Sequence, residues 1–389
     1  MPERRPALKK SHHCESRPPF EHIALLLQGG GALGSYQAGV YQALHEAGIE
    51  PDWVAGISIG AINCALIAGN PPKLRLERLR TFWETISAPP LGLDPFRLEL
   101  EGDIARTWIN QMRAFGVLLA GAPQFFAPRV VPPFLHPRGS MEALSYYDTA
   151  PLRATLELLI DFDLLNRGAT RCTVGAVNVR TGNLVCFDST THRIRPEHVI
   201  ASGSLPPGFP ATEIEGEFYW DGGLVSNTPL QWVLDSRPRS DTLAFQVDLW
   251  SSRGELPRDL IESEVRQKEI RYSSRTRAAT DQFARAQKLR RAFARIYKDL
   301  REELRVLPEA QLLAAEADDK VYNIIHLIYR SQKYEGVAKD FEFSRRTMEE
   351  HWQAGYFDAV RTLRHPEVLQ RPQSLDGMFI FDLAVHGRE

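Results

Sequence analysis

The 389-residue sequence has few cysteines, no long apolar run and almost no net charge. No segment approaches the roughly 18 apolar residues of a membrane span, so we expect at most peripheral contact with a membrane. The formal net charge of −2 gives no general attraction to nucleic acid. The cysteines are too far apart for a C-x-x-C metal or redox motif, which favours reduced thiols in the cytosol. They are Cys14, Cys64, Cys172 and Cys186.

The N-terminal segment is basic and proline-rich, reading "MPERRPALKKSHHCESRPPF". It lacks the apolar stretch of a signal peptide, so the sequence predicts a flexible basic tail over residues 1–21. His12 and His13 are expected to be tail residues rather than metal ligands. Beyond the tail, the chain is long enough for one large core with an attached domain.

A glycine-rich turn follows the first apolar run, in "IALLLQGGGALGSYQAGVYQAL". Gly29, Gly31 and Gly34 spell G-x-G-x-x-G, the fingerprint of a dinucleotide-binding turn. Asp52 stands about where an acid that binds the ribose would be expected. A Rossmann-type nucleotide-binding protein is therefore one hypothesis. It predicts binding of NAD or NADP that is lost on substitution of Gly31.

The next strand and turn, in "DWVAGISIGAINCAL", favour a different chemistry. The strand ends on G-x-S-x-G, from Gly56 to Gly60, and not on an acid. Small residues on both sides of Ser58 permit a sharp turn from which the serine projects. A helix N-terminus at this turn would favour developing negative charge. Ser58 is therefore a candidate nucleophile.

The first glycines gain a different role beside such a serine. Serine attack on an ester requires backbone N–H groups aimed at the oxyanion, and a turn of consecutive glycines exposes them. The two turns face each other if the strands before them are parallel and adjacent. The sequence thus predicts oxyanion donors at Gly30, Gly31 and Ile59, within an oxyanion loop that spans Gly29 to Gly34.

A third block, "EFYWDGGLVSNTPL", presents Asp221 on a turn formed with Gly222 and Gly223. The proline-rich stretch "ASGSLPPGFPA" precedes this third block. The four stretches resemble the motifs of the patatin-like phospholipase family and follow the same order along the chain, over about residues 22–250. The resemblance implies a three-layer α/β fold with helices on both faces of the sheet. It also implies an acyl hydrolase with a Ser58–Asp221 dyad and no metal or organic cofactor. Leu33 departs from the basic residue that family members often carry there.

Residues 73–150 are expected to form an insertion in this core. An amphipathic helix is predicted around Phe82 and Trp83, and another from Trp108 to Leu119. The prolines of "GAPQFFAPRVVPPFL" exclude a regular helix from the segment that follows. Two interpretations stay open: a cap packed on the core, or an apolar lid that lines an acyl pocket or touches lipid.

Residues 251–389 are predicted to be a mainly helical extension that can contribute strands to the core. "VRQKEIRYSSRT" and "KDFEFSRRTMEEHWQAGYFDA" resemble an extension of uncharacterised function found after the patatin core in a subset of bacterial proteins. A long helix is expected over Glu262 to Arg305, with one apolar face and many basic residues. Those basic residues would form either a solvated face or a docking site for an anionic membrane or an acidic substrate. Buried strands are predicted in "TLAFQVDLW" and "VYNIIHLIY", and a hairpin in "CTVGAVNVRTGNLVCFDS".

The substrate class stays open at this level. A lipid ester is expected, with a short-chain or hydroxyacyl ester as the alternative, and the oligomeric state is undetermined. A non-catalytic, membrane-associated scaffold is a second alternative, which predicts an inert Ser58. An α/β-hydrolase relay would instead need a histidine after the acid, and the candidates are His326, His351, His365 and His386. None of them lies in a turn that clearly faces Ser58, so a two-residue dyad is predicted.

Overall fold

The computed structural model describes residues 11–88, 103–273 and 276–383. The first ten residues of the predicted tail and His386 lie outside the described residues. The strands are β1 (His22–Leu27), β2 (Trp53–Ile57), β3 (Ala127–Pro128), β4 (Tyr147–Asp148), β5 (Arg171–Asn178), β6 (Leu184–Asp188), β7 (Thr212–Ile214), β8 (Glu217–Asp221), β9 (Thr242–Asp248), β10 (Tyr322–Ile328) and β11 (Met378–Asp382).

Helices connect most of these strands. They are α1 (Ser35–Glu46), α2 (Ile59–Ala68), α3 (Pro72–Ile86), α4 (Asp103–Ala120), α5 (Ala150–Leu159), α6 (Phe162–Arg167), α7 (Pro196–Ser202), α8 (Leu230–Leu234), α9 (Leu260–Tyr272), α10 (Thr276–Asp299), α11 (Glu302–Arg305), α12 (Pro308–Glu316) and α13 (Arg345–Leu363). A short 3-10 helix, Gly31–Gly34, joins β1 to α1.

One nine-stranded sheet organises the described chain, in the order β11-β10-β9-β1-β2-β5-β8-β7 with β6 also paired to β5. The six strands from β11 to β5 are mutually parallel. Strands β6 and β8 run antiparallel to β5. The predicted strands β9 and β10 and the predicted hairpin β5–β6 are confirmed. The carboxyl ends of β1 and β2 therefore lie side by side.

Helices cover both faces of the sheet, which confirms the three-layer α/β fold. Along β1, Ile23, Leu25 and Leu27 pack into a large core shared with α1, α2, α3 and α13. Ala24 and Leu26 point to the opposite face and pack against α8 and Phe283 of α10. Because side chains alternate along a strand, an apolar run such as β1 can be buried on both sides.

The C-terminal region is built into this sheet. Strands β10 and β11 extend it beyond β9, so β9 is an interior strand of the sheet. Helix α13 packs on α1 through two glycines. A Cβ added at Gly39 or Gly355 would lie less than 3.0 Å from a backbone carbonyl of the other helix. Only glycine permits so close an approach of two helices.

The prediction of one helix from Glu262 to Arg305 was wrong. Helix α9 ends at Tyr272, where the Ser273 N–H bonds the Glu269 carbonyl, and α10 and α11 follow as separate elements. The apolar face of α10 is also only partly packed, since Leu289 is 71% exposed and Ile296 58% exposed. The helical periodicity was real, but it did not reveal that successive turns pack on different parts of the core.

The part of the predicted tail that the structure describes, residues 11–21, lies against the core. Phe20 is buried, and Arg17 forms an ion pair with Asp52. In the predicted insertion, α3 buries Leu79, Phe82, Trp83 and Ile86, and α4 precedes the small β3–β4 sheet. Within the described ranges, no helix is both long and apolar enough to cross a membrane.

Candidate active site

Three neighbouring strands bring Ser58 and Asp221 together. Ser58 follows the last residue of β2, Ile57, which lies opposite Gly175 of β5. Asp221 ends β8 and lies opposite Ala176, the next residue of β5. Ser58 and Asp221 are far apart in the chain, but only β5 separates their two strands in the sheet. The Ser58 and Asp221 side chains line the same cavity, and Ser58 is close enough to the Asp221 carboxyl group to lower its pKa.

The turn at Ser58 has the strained backbone expected between a strand and a helix. Ser58 has a φ of 56° and a ψ of −123°, which a residue with a side chain rarely adopts. A Cβ at Gly56 or Gly60 would lie less than 3.0 Å from neighbouring backbone atoms, so the motif requires both glycines. The Ser58 N–H donates to Ser202 Oγ at 3.0 Å, and that hydroxyl donates to the Gly175 carbonyl at 2.6 Å. Ser202 thus fixes the strained peptide.

Asp221 is a buried carboxyl group with few compensating contacts. Its Oδ1 accepts the Gly223 N–H at 2.7 Å, and the Ser58 side chain also favours the ionised carboxylate. Burial raises the pKa of Asp221 from 3.8 to about 6, against the opposing effect of Ser58 and the Gly223 N–H. Among the residues that the structure describes, no positively charged group lowers the pKa of this carboxyl group. The environment therefore makes Asp221 a stronger base than an ordinary aspartate.

Three backbone N–H groups are oriented by the hydrogen bonds of the carbonyls that precede them. The Gly29 carbonyl accepts from Trp250 Nε1 at 2.9 Å and Asn227 Nδ2 at 3.0 Å. The Gly30 carbonyl accepts from the Leu33 N–H at 3.2 Å. In a trans peptide the N–H points opposite to the carbonyl, so these bonds turn the next N–H groups away from the supporting side chains.

The same argument holds on the other side of the cavity. The Ser58 carbonyl accepts from the N–H groups of Ala61 and Ile62, so the Ile59 N–H projects from the start of α2. Gly30, Gly31 and Ile59 all line one cavity together with Ser58 and Asp221. The predicted oxyanion donors are therefore grouped around the serine. Strands β1 and β2 are parallel and adjacent, as this arrangement required.

The other motif glycines have packing roles. Gly29 and Gly223 also line the cavity. Gly34 and Gly222 do not: a Cβ at Gly34 would meet the Ile59 side chain, and one at Gly222 would meet the Gly175 carbonyl at 2.6 Å. Leu33 is fully buried, so its side chain supports the loop from the core side.

The cavity beside Ser58 has a volume of about 250 Å³ and is largely apolar. Phe125 and Phe126 from the insertion form one wall. Phe343 packs edge-on against Phe125, with ring centroids 5.7 Å apart. The ring centroids of Phe209 and Phe126 are 5.1 Å apart. An aromatic pocket of this kind suits an apolar group bound next to the serine.

Several residues of the site had no recognisable signal in the sequence. Ser202 supports the nucleophile turn, while Asn227 and Trp250 hold the Gly29 carbonyl. Tyr272 and Asp340, both from the C-terminal region, also line the cavity. The block "GGLVSNTPL" was noted for Asp221, and its Asn227 could have been singled out as a polar residue six positions after the acid.

The alternative roles for Asp52 and the histidines find no geometric support. The Asp52 carboxylate accepts the Ile23 N–H at 2.9 Å, at the start of β1 and hence at the opposite end of that strand from the glycine turn. His326, His351 and His365 do not line the cavity. Within the part of the chain that the structure describes, no group of three or more His, Cys, Asp or Glu side chains could hold a metal ion.

Known proteins similar to this chain point to one family. The family model described as patatin-like phospholipase matches residues 25–234, and one described as patatin phospholipase matches residues 270–375. A 57-residue stretch is 56% identical to lysophospholipase nte1 of Aspergillus terreus, covering 15% of this chain and 4% of that protein. Another of 59 residues is 39% identical to triacylglycerol lipase SDP1L of Arabidopsis thaliana, covering 15% and 7%. The matches thus span only a small part of these relatives.

The chain also resembles a solved structure. VipD from Legionella pneumophila is 15% identical to it, with a TM-score of 0.40, over 94% of this chain and 72% of that one.

Proposed function

Because the chain belongs to the patatin-like phospholipase family, we propose that it hydrolyses carboxylic esters of lipids with Ser58 as nucleophile and Asp221 as base. One observation carries the proposal. Ser58, on a strained strand-to-helix turn, lies beside the buried Asp221 carboxyl group, and both residues line one apolar cavity. A serine, its base and an acyl-sized pocket in contact are the parts that acyl transfer requires.

The reaction proceeds in two halves. Ser58 Oγ attacks the ester carbonyl carbon while Asp221 accepts the hydroxyl proton, and the carbonyl oxygen becomes an oxyanion. The N–H groups of Gly30, Gly31 and Ile59 stabilise that charge. The intermediate collapses with cleavage of the bond to the alcohol oxygen, which takes the proton from Asp221. Water then attacks the acyl-serine, Asp221 accepts its proton, and the proton returns to Ser58 as the acid departs.

The raised pKa makes an aspartate adequate for this task. A base works best when its pKa lies near the working pH, because it is then both deprotonated and reasonably strong. At pH 7 a carboxyl group with a pKa of about 6 is mostly ionised, yet more basic than a solvated aspartate. Burial therefore replaces part of what a histidine would supply.

The lipid assignment within this proposal is supported by the lining of the cavity and by the relatives. The aromatic wall of Phe125, Phe126 and Phe343 offers an acyl chain apolar contacts and no hydrogen-bond partners. Two of the relatives are named as a lysophospholipase and a triacylglycerol lipase. Short hydroxyacyl esters, the alternative, would leave much of that apolar wall uncovered.

The segment 115–135 is suited to deliver such a substrate. Its inner side chains Phe125 and Phe126 are buried at the cavity, whereas Phe134 is 80% exposed and Val130 is 99% exposed. Exposed apolar side chains on the segment that forms a pocket wall are typical of a site that meets aggregated lipid. The segment thus unites the two interpretations left open above, as a cap on its inner side and a lipid-facing surface on its outer side. Membrane contact in this proposal is peripheral.

A panel of esters tests the proposal. Rates are measured for a series varied in acyl length and head group, with Ser58→Ala as the blank and a fluorophosphonate probe to label the serine. We expect Ser58-dependent hydrolysis that increases with acyl length up to the capacity of the pocket. Hydrolysis confined to short soluble esters would favour the short-chain alternative. A wild-type protein that neither hydrolyses nor reacts with the probe would indicate a scaffold.

A further inference from the structure

The C-terminal region contacts the glycine loop at Gly31, which has a positive φ. The backbone carbonyl of Asp340 accepts the Ala32 N–H at 2.8 Å. Gly31, immediately before, has a φ of 56°, and a Cβ there would lie less than 3.0 Å from the same carbonyl oxygen. The Asp340 carbonyl therefore lies against Gly31 and bonds the peptide that directly follows the predicted donor, the Gly31 N–H.

A second contact comes from the end of helix α9. The Tyr272 carbonyl accepts from Asn227 Nδ2 at 3.0 Å and from Gln28 Nε2 at 3.1 Å. These two amide side chains hold the base of the loop. Asn227 also binds the Gly29 carbonyl, and Gln28 Oε1 accepts the N–H groups that follow β9, of Leu249 and Trp250.

One ion pair joins the two contacts. Lys268 of α9 binds both carboxylate oxygens of Asp340, at 2.9 and 3.1 Å, and the Val337 carbonyl at 3.1 Å. A neighbouring pair, Lys339 with Glu269 of α9 at 2.8 Å, fastens the same segment. Charge-assisted hydrogen bonds of this length, on half-buried and buried groups, fix backbone position more firmly than solvated ion pairs do.

We propose that Lys268 and Asp340 are positioning residues for the oxyanion loop. Their ion pair holds residues 337–340 on α9, which places the Asp340 carbonyl where it orients the Ala32 N–H. The N–H groups of Gly30 and Gly31 are then directed at the reacting carbonyl oxygen. This inference rests on the proposed function and adds that the C-terminal region is required for chemistry as well as for folding.

The consequence is a specific kinetic defect. Donors displaced by a fraction of an ångström stabilise the transition state less, while the aromatic wall of Phe125, Phe126 and Phe343 keeps its side chains. Lys268→Met and Asp340→Asn should each lower kcat by roughly 10- to 100-fold with little change in KM. Lys268→Arg should recover part of the loss, because a guanidinium can still bind the carboxylate.

Replacing the carbonyl oxygen of the substrate by sulfur separates positioning from general damage. Sulfur accepts hydrogen bonds weakly, so a thionoester gains little from the oxyanion donors. In the wild type, the oxoester should therefore react much faster than its thionoester. In Lys268→Met and Asp340→Asn this ratio should fall by about the same factor as kcat, whereas a structural defect would lower both rates equally.

Lys320→Met supplies a matched control. Lys320 also binds a carboxylate, that of Glu21 at 2.8 Å, and its side chain is 30% exposed against 29% for Lys268. This pair joins the N-terminal segment to the residues before β10 and takes no part in the loop. The control should keep the wild-type rate and ratio. If Lys268→Met fails to fold, the near-isosteric Asp340→Asn carries the same comparison.

The outcomes are distinguishable. An active wild type whose rate ratio is unchanged in folded Lys268→Met and Asp340→Asn overturns the positioning role and leaves the proposed function intact. A wild type without Ser58-dependent hydrolysis of either ester overturns the proposed function and, with it, this inference. A ratio that falls in both variants but not in Lys320→Met supports both.

Discussion

The regions before and after residue 250 differ in how much of their role can be recognised from the sequence. The first carries all three motif blocks and both members of the proposed dyad. The second carries no catalytic motif, yet it supplies two strands of the sheet, a wall of the cavity and a backbone acceptor for the glycine loop. A role that depends on particular side chains can be recognised as a motif in the sequence. Support through backbone carbonyls and packing cannot, because many different residues can supply it.

The dyad should give the largest effects and sharpen this contrast. Ser58→Ala and Asp221→Asn are each expected to lower kcat by roughly 10⁴-fold or more, because each removes a group that acts on the reacting atoms. Alanine at His326, His351 or His365, all in the second region, should cost about tenfold or less in folded protein. Steady-state kinetics on one activated ester gives kcat for all five variants.

A fourth histidine completes this series. His386, which lies outside the described residues, should behave like the other three. Equal losses for His386→Ala and Ser58→Ala, with a mild Asp221→Asn, would replace the dyad by a three-residue relay.

The pKa of Asp221 links activity and stability to pH in opposite directions. Activity should increase as pH rises through about 6, because only the ionised carboxylate accepts the serine proton. For stability, a folded-state pKa above the unfolded value means that the stabilising contribution is complete below pH 3.8 and is lost as pH rises through about 6.

The stability half is measured by urea unfolding across this pH range. At pH 8, Asp221→Asn, which carries no buried charge, should be more stable than the wild type by up to about 3 kcal/mol, and the difference should shrink toward pH 4. A wild type with a flat pH–rate profile between pH 4.5 and 8 would contradict the role of Asp221 as base.

The helix pair α1–α13 tests whether the two regions fold as one unit. Gly355→Ala places a Cβ against the Tyr36 carbonyl, so we expect a loss of about 1–3 kcal/mol in the free energy of unfolding. Gly116→Ala is the matched control: also within a helix, it meets no atom within 4 Å, and alanine should be neutral or slightly stabilising there. Thermal unfolding that shows two separate transitions, with only the second shifted, would separate the regions.

The outer surface of segment 115–135 should affect aggregated substrates alone. Val130→Ser with Phe134→Ser removes apolar surface that is exposed and does not line the cavity. We expect several-fold weaker vesicle binding and slower hydrolysis of vesicle-borne ester, with the rate on a short soluble ester unchanged. Phe126→Ala, on the inner side, should instead alter the preference for chain length. Equal losses on both substrates in the outer double variant would remove the lipid-facing role.

The basic residues of α10 should give the smallest effect. Arg285 and Lys288 are exposed, whereas Arg291 is held by the Asp319 and Lys320 carbonyls and is unsuitable as a probe. Charge reversal at Arg285 and Lys288 should weaken sedimentation with anionic vesicles by a few-fold at low salt, with no effect at high salt, where the charges are screened. Binding that ignores both charge and salt would leave α10 a purely structural role.

Much of the region before residue 250 was predictable because short stretches of sequence determine its turns and strands. G-x-S-x-G requires a sharp turn that only small residues permit. The five residues from Gly56 to Gly60 are therefore enough to predict the strand-to-helix turn at Ser58. The apolar runs of β9 and β10 likewise indicated buried strands. The continuous helix from Glu262 was wrong because periodicity reports an apolar face but not which surface that face meets. Helix α9 contacts the segment Lys333–Ala338, whereas α10 contacts α8 and α12.

The sequence by itself therefore determined which residues could do chemistry, together with the three-layer fold that carries them. Only the tertiary structure decided the rest. It brought Asp221 next to Ser58 across β5, raised the pKa of that carboxyl group by burial, and set the Asp340 carbonyl against the glycine loop. The physical reason is that burial, strand order and backbone contact between distant segments depend on the whole packed chain, and no short stretch of residues encodes them.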